Sequence, residues 1–108
     1  MTIHLSEAWR EELLASTPEA VREFCQAHGL GPAIDTSLEL VRATFRSDEV
    51  SLSRERDPEL DEEWVTIAVT ARGSQEEVLD AHTRYVRAWI KQVPEASRRY
   101  LRLFIRIA

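Results

Sequence analysis

Three things are scarce in this sequence, and each shortage narrows what the protein can be. Cysteine occurs once in 108 residues, as Cys25. A single thiol excludes an intramolecular disulfide and suits a reducing compartment, so a cytoplasmic location is expected. The acidic and basic residues Glu7, Arg10, Glu11 and Glu12 leave no room for the apolar region of a secretory leader. Long apolar runs are absent as well, so no membrane association is expected. Glycine occurs three times, too few for the glycine-rich loops that cradle phosphates. There is no serine-centred nucleophile elbow and no paired-carboxylate pattern with a second distinguishing element.

What remains is the composition of one folded domain, 44% apolar and 31% charged, of a length that buries an adequate core without staples. The net charge of −5 conceals a split. Residues 1–83 hold seven Lys+Arg against eighteen Asp+Glu, a net of −11, whereas residues 84–108 hold seven against one, a net of +6. Such asymmetry marks either a partner surface or charges that neutralise one another on folding.

Periodicity gives the order α-α-α-β-β-α-β, with a helical part over 1–46 and a β-β-α-β unit over 48–108. Ser6 caps a first short helix carrying Trp9, Leu13 and Leu14 on one stripe. Thr17 and Pro18 open a second, in which Val21, Phe24, Cys25 and His28 recur at helical spacing before Gly29 and Pro32 stop it. Thr36 and Glu39 have capping-box spacing, and Leu38, Val41 and Phe45 follow as a helical stripe, with a strand as the rival reading of 36–46. From Val50 the period becomes two. Val50, Leu52 and Arg54 alternate with Ser51, Ser53 and Glu55. After an acidic turn, Val65, Ile67, Val69 and Ala71 alternate with Trp64, Thr66, Ala68 and Thr70.

Ser74 and Glu77 then make a capping box for a long helix whose broad face carries Val78, Leu79, His82, Tyr85, Val86, Trp89, Ile90 and Val93. Pro94 closes it. The last segment alternates Leu101, Leu103, Ile105 and Ile107 with Tyr100, Arg102, Phe104 and Arg106. The expected fold is a two-layer α+β domain with a three-stranded, mainly antiparallel sheet and helices on one face. The place of the last strand, beside the second or beyond the first, is open.

Candidate chemistry is thin. In the turn, Asp57, Glu59 and Asp61 have the one-three-five spacing of a calcium loop. The sixth position is Glu62 instead of glycine and the twelfth is Ala68, so the pattern fails and no metal is expected. Cys25 and His28 lie one turn apart, but zinc needs further ligands and the other histidines are only His4 and His82. His82, on an apolar helix face with Tyr85 one turn away, is the weak catalytic candidate, with neither nucleophile nor glycine loop beside it. No cofactor is expected.

The surface residues say more. Outward-facing Trp64, Tyr100, Arg102, Phe104 and Arg106 form an aromatic-arginine row, the composition enriched at protein interfaces. The acidic loop of Asp57, Glu59, Asp61 and Glu62 is a second candidate surface. The expectation is a non-enzymatic interaction or regulatory domain that binds a protein or itself, in one form an acidic neutraliser of a basic partner in the manner of an antitoxin or immunity protein. The alternative is a module that stacks and neutralises single-stranded nucleic acid on the same row.

Overall fold

The computed structural model describes Thr2–His4, Leu13 and residues 17–108. Trp9, Leu14 and the Ser6 cap lie outside the described residues. Leu13 is helical and fully buried. The chain is α+β: β1 (Thr2–His4), α1 (Glu19–His28), α2 (Gly31–Thr44), β2 (Arg46–Asp57), β3 (Glu62–Arg72), α3 (Gln75–Gln92), the single turn α4 (Glu95–Arg98) and β4 (Leu101–Ile107).

The helix boundaries follow local chemistry. Thr17 does not cap α1. Its hydroxyl donates to the Leu13 carbonyl, and Pro18 occupies the N-cap position. Gly29 ends α1 at φ +63°, a conformation that costs glycine little. Leu30 N–H then reaches back to the Cys25 carbonyl at 2.9 Å, closing the helix end. Residues 36–44 are helical, which settles the rival strand reading, but α2 starts at Gly31 and not at Thr36. Pro32 sits in its first turn, where a missing N–H costs nothing. The Ser74–Glu77 capping box forms as expected: Glu77 N–H donates to Ser74 Oγ at 3.2 Å, and Ser74 N–H donates to Glu77 Oε1 at 3.0 Å.

The sheet has four strands in the order β1-β2-β3-β4, one more than expected, because the three residues of β1 are too few to display an alternation. β1 and β3 each pair antiparallel with β2, and β4 pairs parallel with β3. The last strand therefore lies beside the second of the two hairpin strands. A bulge at Asp48 shifts the β2–β3 register and brings its carboxylate to 2.7 Å from Arg72 Nε.

One sheet face carries the core. Val50, Leu52, Val65, Ile67, Val69, Ala71 and Leu101 are buried there with Val21 and Phe24 of α1 and Ile34, Leu38 and Val41 of α2. α3 is fastened to α2 through Ser37, a fully buried hydroxyl. It donates to the Ala33 carbonyl at 2.7 Å and accepts from Trp89 Nε1 at 3.0 Å. Tyr85 meets the same hydroxyl, and burial pushes its phenol up to about 12, with the Ser37 contact working against the shift. Not all of the α3 stripe is core: Leu79 is 57% and Ile90 53% exposed.

Candidate functional site

Among the described residues, no helix covers the second sheet face. Register places Glu49, Ser51, Ser53 and Glu55 of β2 opposite Thr70, Ala68, Thr66 and Trp64 of β3. Thr70, Ala68 and Thr66 in turn lie opposite Arg106, Phe104 and Arg102 of β4. The β3 residues on this face are half-buried, and the three β4 residues are exposed. Phe104 stands at the centre of β4 with 57% of its surface in solvent. The Arg102 guanidinium lies 3.8 Å from the Trp64 ring centroid, a cation–π geometry, and Trp64 Nε1 donates to Thr66 Oγ1 at 3.1 Å. Arg102 is also 3.7 Å from Glu62 Oε2.

Tyr100 leaves this row. It precedes the first residue of β4, and its ring turns to the helix-covered side, 4.3 Å from the His28 ring and 5.9 Å from that of Phe24. Its place in the outward row rested on extending the strand alternation one residue too far. Tyr100 instead joins Trp64 and Arg102 in lining an open cavity of about 590 Å³ at the hairpin end of the sheet. Phe24, His28, Arg56 and Arg99 line the same cavity, as do Asp61, Glu62 and Glu63. Trp64, Tyr100 and Arg102 of the expected row thus meet Asp61 and Glu62 of the expected acidic loop at one end of the sheet. Phe104 and Arg106 lie further along the open face, where they border a shallow hollow with Glu49 and Thr70.

Two of the acidic-loop carboxylates, Asp57 and Asp61, are engaged within the hairpin end itself, while Glu62 faces Arg102 of β4. Asp57 Oδ1 accepts from Glu59 N–H at 2.9 Å, which fixes the turn. Asp61 holds a positive φ of 53° and pairs with Arg56 at 3.0 Å. Glu63 takes both arms of its contact from Arg54 Nη2, at 2.9 Å each. No cluster of three metal-ligating side chains occurs among the described residues. Burial raises the Cys25 thiol above its ordinary value, the opposite of what a reactive thiolate needs.

His82 is half-buried on α3. It lines neither the hairpin-end cavity nor the smaller one of about 270 Å³ beside Phe45 and Val78. Tyr85, the expected partner of His82, is engaged by Ser37. The cavity residues that sequence reasoning passed over are Phe24, His28, Arg56 and Arg99. Their only signal was the helical stripe ending at His28 and the alternation ending at Arg54, and nothing in either shows that the two ends meet. Comparison with family models, with curated proteins and with solved structures found no match to this chain.

Proposed function

We propose that this chain is a non-enzymatic protein-interaction domain, and that its docking surface is the open sheet face of Trp64, Arg102, Phe104 and Arg106. The observation that carries this reading is Phe104, 57% exposed in the middle of a strand and flanked at i±2 by arginines. An aromatic side chain held rigidly in solvent on a sheet loses nothing on folding by becoming polar, but gains when a partner covers it. Arginine at its flanks supplies the polar rim of such a contact.

The acidic loop supports the form of this reading as a neutraliser of a basic partner less well than its composition suggests. Asp61, Glu62 and Glu63 already face Arg56, Arg102 and Arg54. The same pairing weighs against single-stranded nucleic acid, since these arginines would have to exchange carboxylates for phosphates. No helix among the described residues is long and apolar enough to cross a membrane.

Sedimentation and oligonucleotide titration separate these readings. Wild-type protein is expected to form a protein complex, with itself or another chain, that Phe104→Asp abolishes while the circular dichroism spectrum is kept. Tight binding of a single-stranded oligonucleotide that weakens steeply with salt and is lost in Arg102→Ala and Arg106→Ala would overturn the proposal.

A further inference from the structure

Resting on that reading of β4 as a contact surface, we infer that the free edge of β4 pairs antiparallel with the same edge of a second copy of this chain. The two-fold axis passes at Phe104, and the two four-stranded sheets become one.

Hydrogen-bond parity shows which groups are available. Val65 N–H donates to the Tyr100 carbonyl at 2.8 Å, and Ala108 N–H donates to the Ala71 carbonyl at 2.8 Å. The register between them is unbroken. Backbone groups of successive strand residues point to opposite sides, so the even-numbered residues of β4 bond to β3. The N–H and C=O groups of Leu101, Leu103, Ile105 and Ile107 therefore face away from it. Among the described residues β4 has no second neighbour.

Edges of this kind are normally blunted by proline, charged side chains, a bulge or shortness. β4 has seven residues, LRLFIRI, with no proline and no register break against β3, and its two charges, Arg102 and Arg106, stand on the open face. The opposite edge, β1, has three residues.

The sequence of β4 selects the occupant. LRLFIRI reads almost the same in both directions about Phe104: Leu101 mirrors Ile107, Arg102 mirrors Arg106, and Leu103 mirrors Ile105. A two-fold contact requires such self-complementarity, and a foreign strand does not. With the axis at Phe104, the hydrogen-bonded pairs are Leu101 with Ile107 of the second copy and Leu103 with Ile105 of the second copy. These are the residues whose groups are free. Phe104 then meets its own copy in a non-hydrogen-bonded pair, where Cα atoms approach to about 4.5 Å and aromatic pairs stabilise. Ile107, 43% exposed in the single chain, gains an apolar neighbour.

One contact opposes the arrangement. Arg102 falls opposite Arg106 of the second copy, and like charges directly opposite repel. Arg102 is offset by Glu62 at 3.7 Å and by the Trp64 ring at 3.8 Å. The residual repulsion makes a specific prediction: Arg106→Glu tightens the dimer severalfold by setting opposite charges across the axis.

Sedimentation equilibrium of wild type, Ile105→Pro and Arg106→Glu, with cysteine cross-linking, tests the inference. Proline at 105 removes an edge N–H but none of the bonds to β3, and it leaves the Phe104 face in place. The expected results are a wild-type dimer, a dimer about 10- to 100-fold weaker in Ile105→Pro, and a tighter one in Arg106→Glu. Phe104→Cys in a Cys25→Ala background should oxidise to a covalent dimer, since the paired Cα spacing lies within disulfide reach. A monomeric wild type at high concentration overturns the inference while leaving open a different protein partner for the face. An undiminished dimer in Ile105→Pro that is lost in Phe104→Asp overturns edge pairing but keeps the face as an interface. If Ile105→Pro fails to fold, the cross-link decides, and a Phe104→Cys protein that sediments as a dimer yet does not cross-link contradicts the axis.

Discussion

Trp89 and Trp64 sit on opposite sides of the structure and show what separates the closed half of this molecule from the open one. Trp89 packs against the core, and its indole N–H ends on Ser37, a fully buried hydroxyl that joins α3 to α2. Trp64 satisfies its N–H on Thr66, two residues along its own strand, and presents its ring to Arg102. The first indole holds two helices together. The second holds only neighbouring surface side chains, and its removal disconnects no element from another. The covered face therefore carries stability, and the open face is free to carry function.

Substitutions on the two faces should differ in both size and kind. The largest effect on stability is expected at Ile67, 1% exposed at the centre of the covered face. Ile67→Ala should cost roughly 2–5 kcal/mol in denaturant unfolding, and a loss below 1 kcal/mol would place the core elsewhere. Next is Ser37→Ala, which leaves the Trp89 indole N–H unsatisfied and strips the Tyr85 hydroxyl of its contact. About 1–3 kcal/mol is expected, and an unchanged melt would mean that the α2–α3 seam does not depend on its hydroxyl.

A smaller effect is expected at the α3 capping box. Its hydrogen bonds to Ser74 hold the Glu77 carboxyl below its ordinary value. A depressed carboxylate contributes stability that is present above its unfolded-state pKa and lost as pH falls through the folded one. The difference in melting temperature between wild type and Glu77→Gln should therefore shrink as pH drops below the ordinary carboxylate range. A constant difference across that range would show that the charge of Glu77 plays no part in the cap.

The two halves also differed in how far the sequence revealed them. Alternation from Val50 to Leu52 and from Val65 to Ala71 identified the buried sheet residues, because burial on one face imposes a period of two directly on residue choice. Ser74 and Glu77 announced their helix by a purely local mechanism. Non-local geometry was not legible. The strand order left two places for β4, since the α3 crossover is long enough for either. The hairpin-end cavity depends on Phe24 and His28 of α1 reaching Tyr100, some seventy residues on, and no periodicity encodes that meeting. Tyr100 itself was misplaced because alternation continues in the sequence one residue beyond the strand. Thr36 misled through a capping-box spacing that lies inside a helix already started at Gly31.

The central claim is that Phe104 contributes to association and not to folding. Sedimentation of Phe104→Asp against wild type, with thermal unfolding of both at a concentration where wild type is monomeric, tests it directly. The account predicts a change in monomer stability within about 0.5 kcal/mol, the range of ordinary surface substitutions, together with loss of the wild-type complex at higher concentration. A variant that unfolds several degrees earlier than monomeric wild type, or one that associates as wild type does, would contradict it.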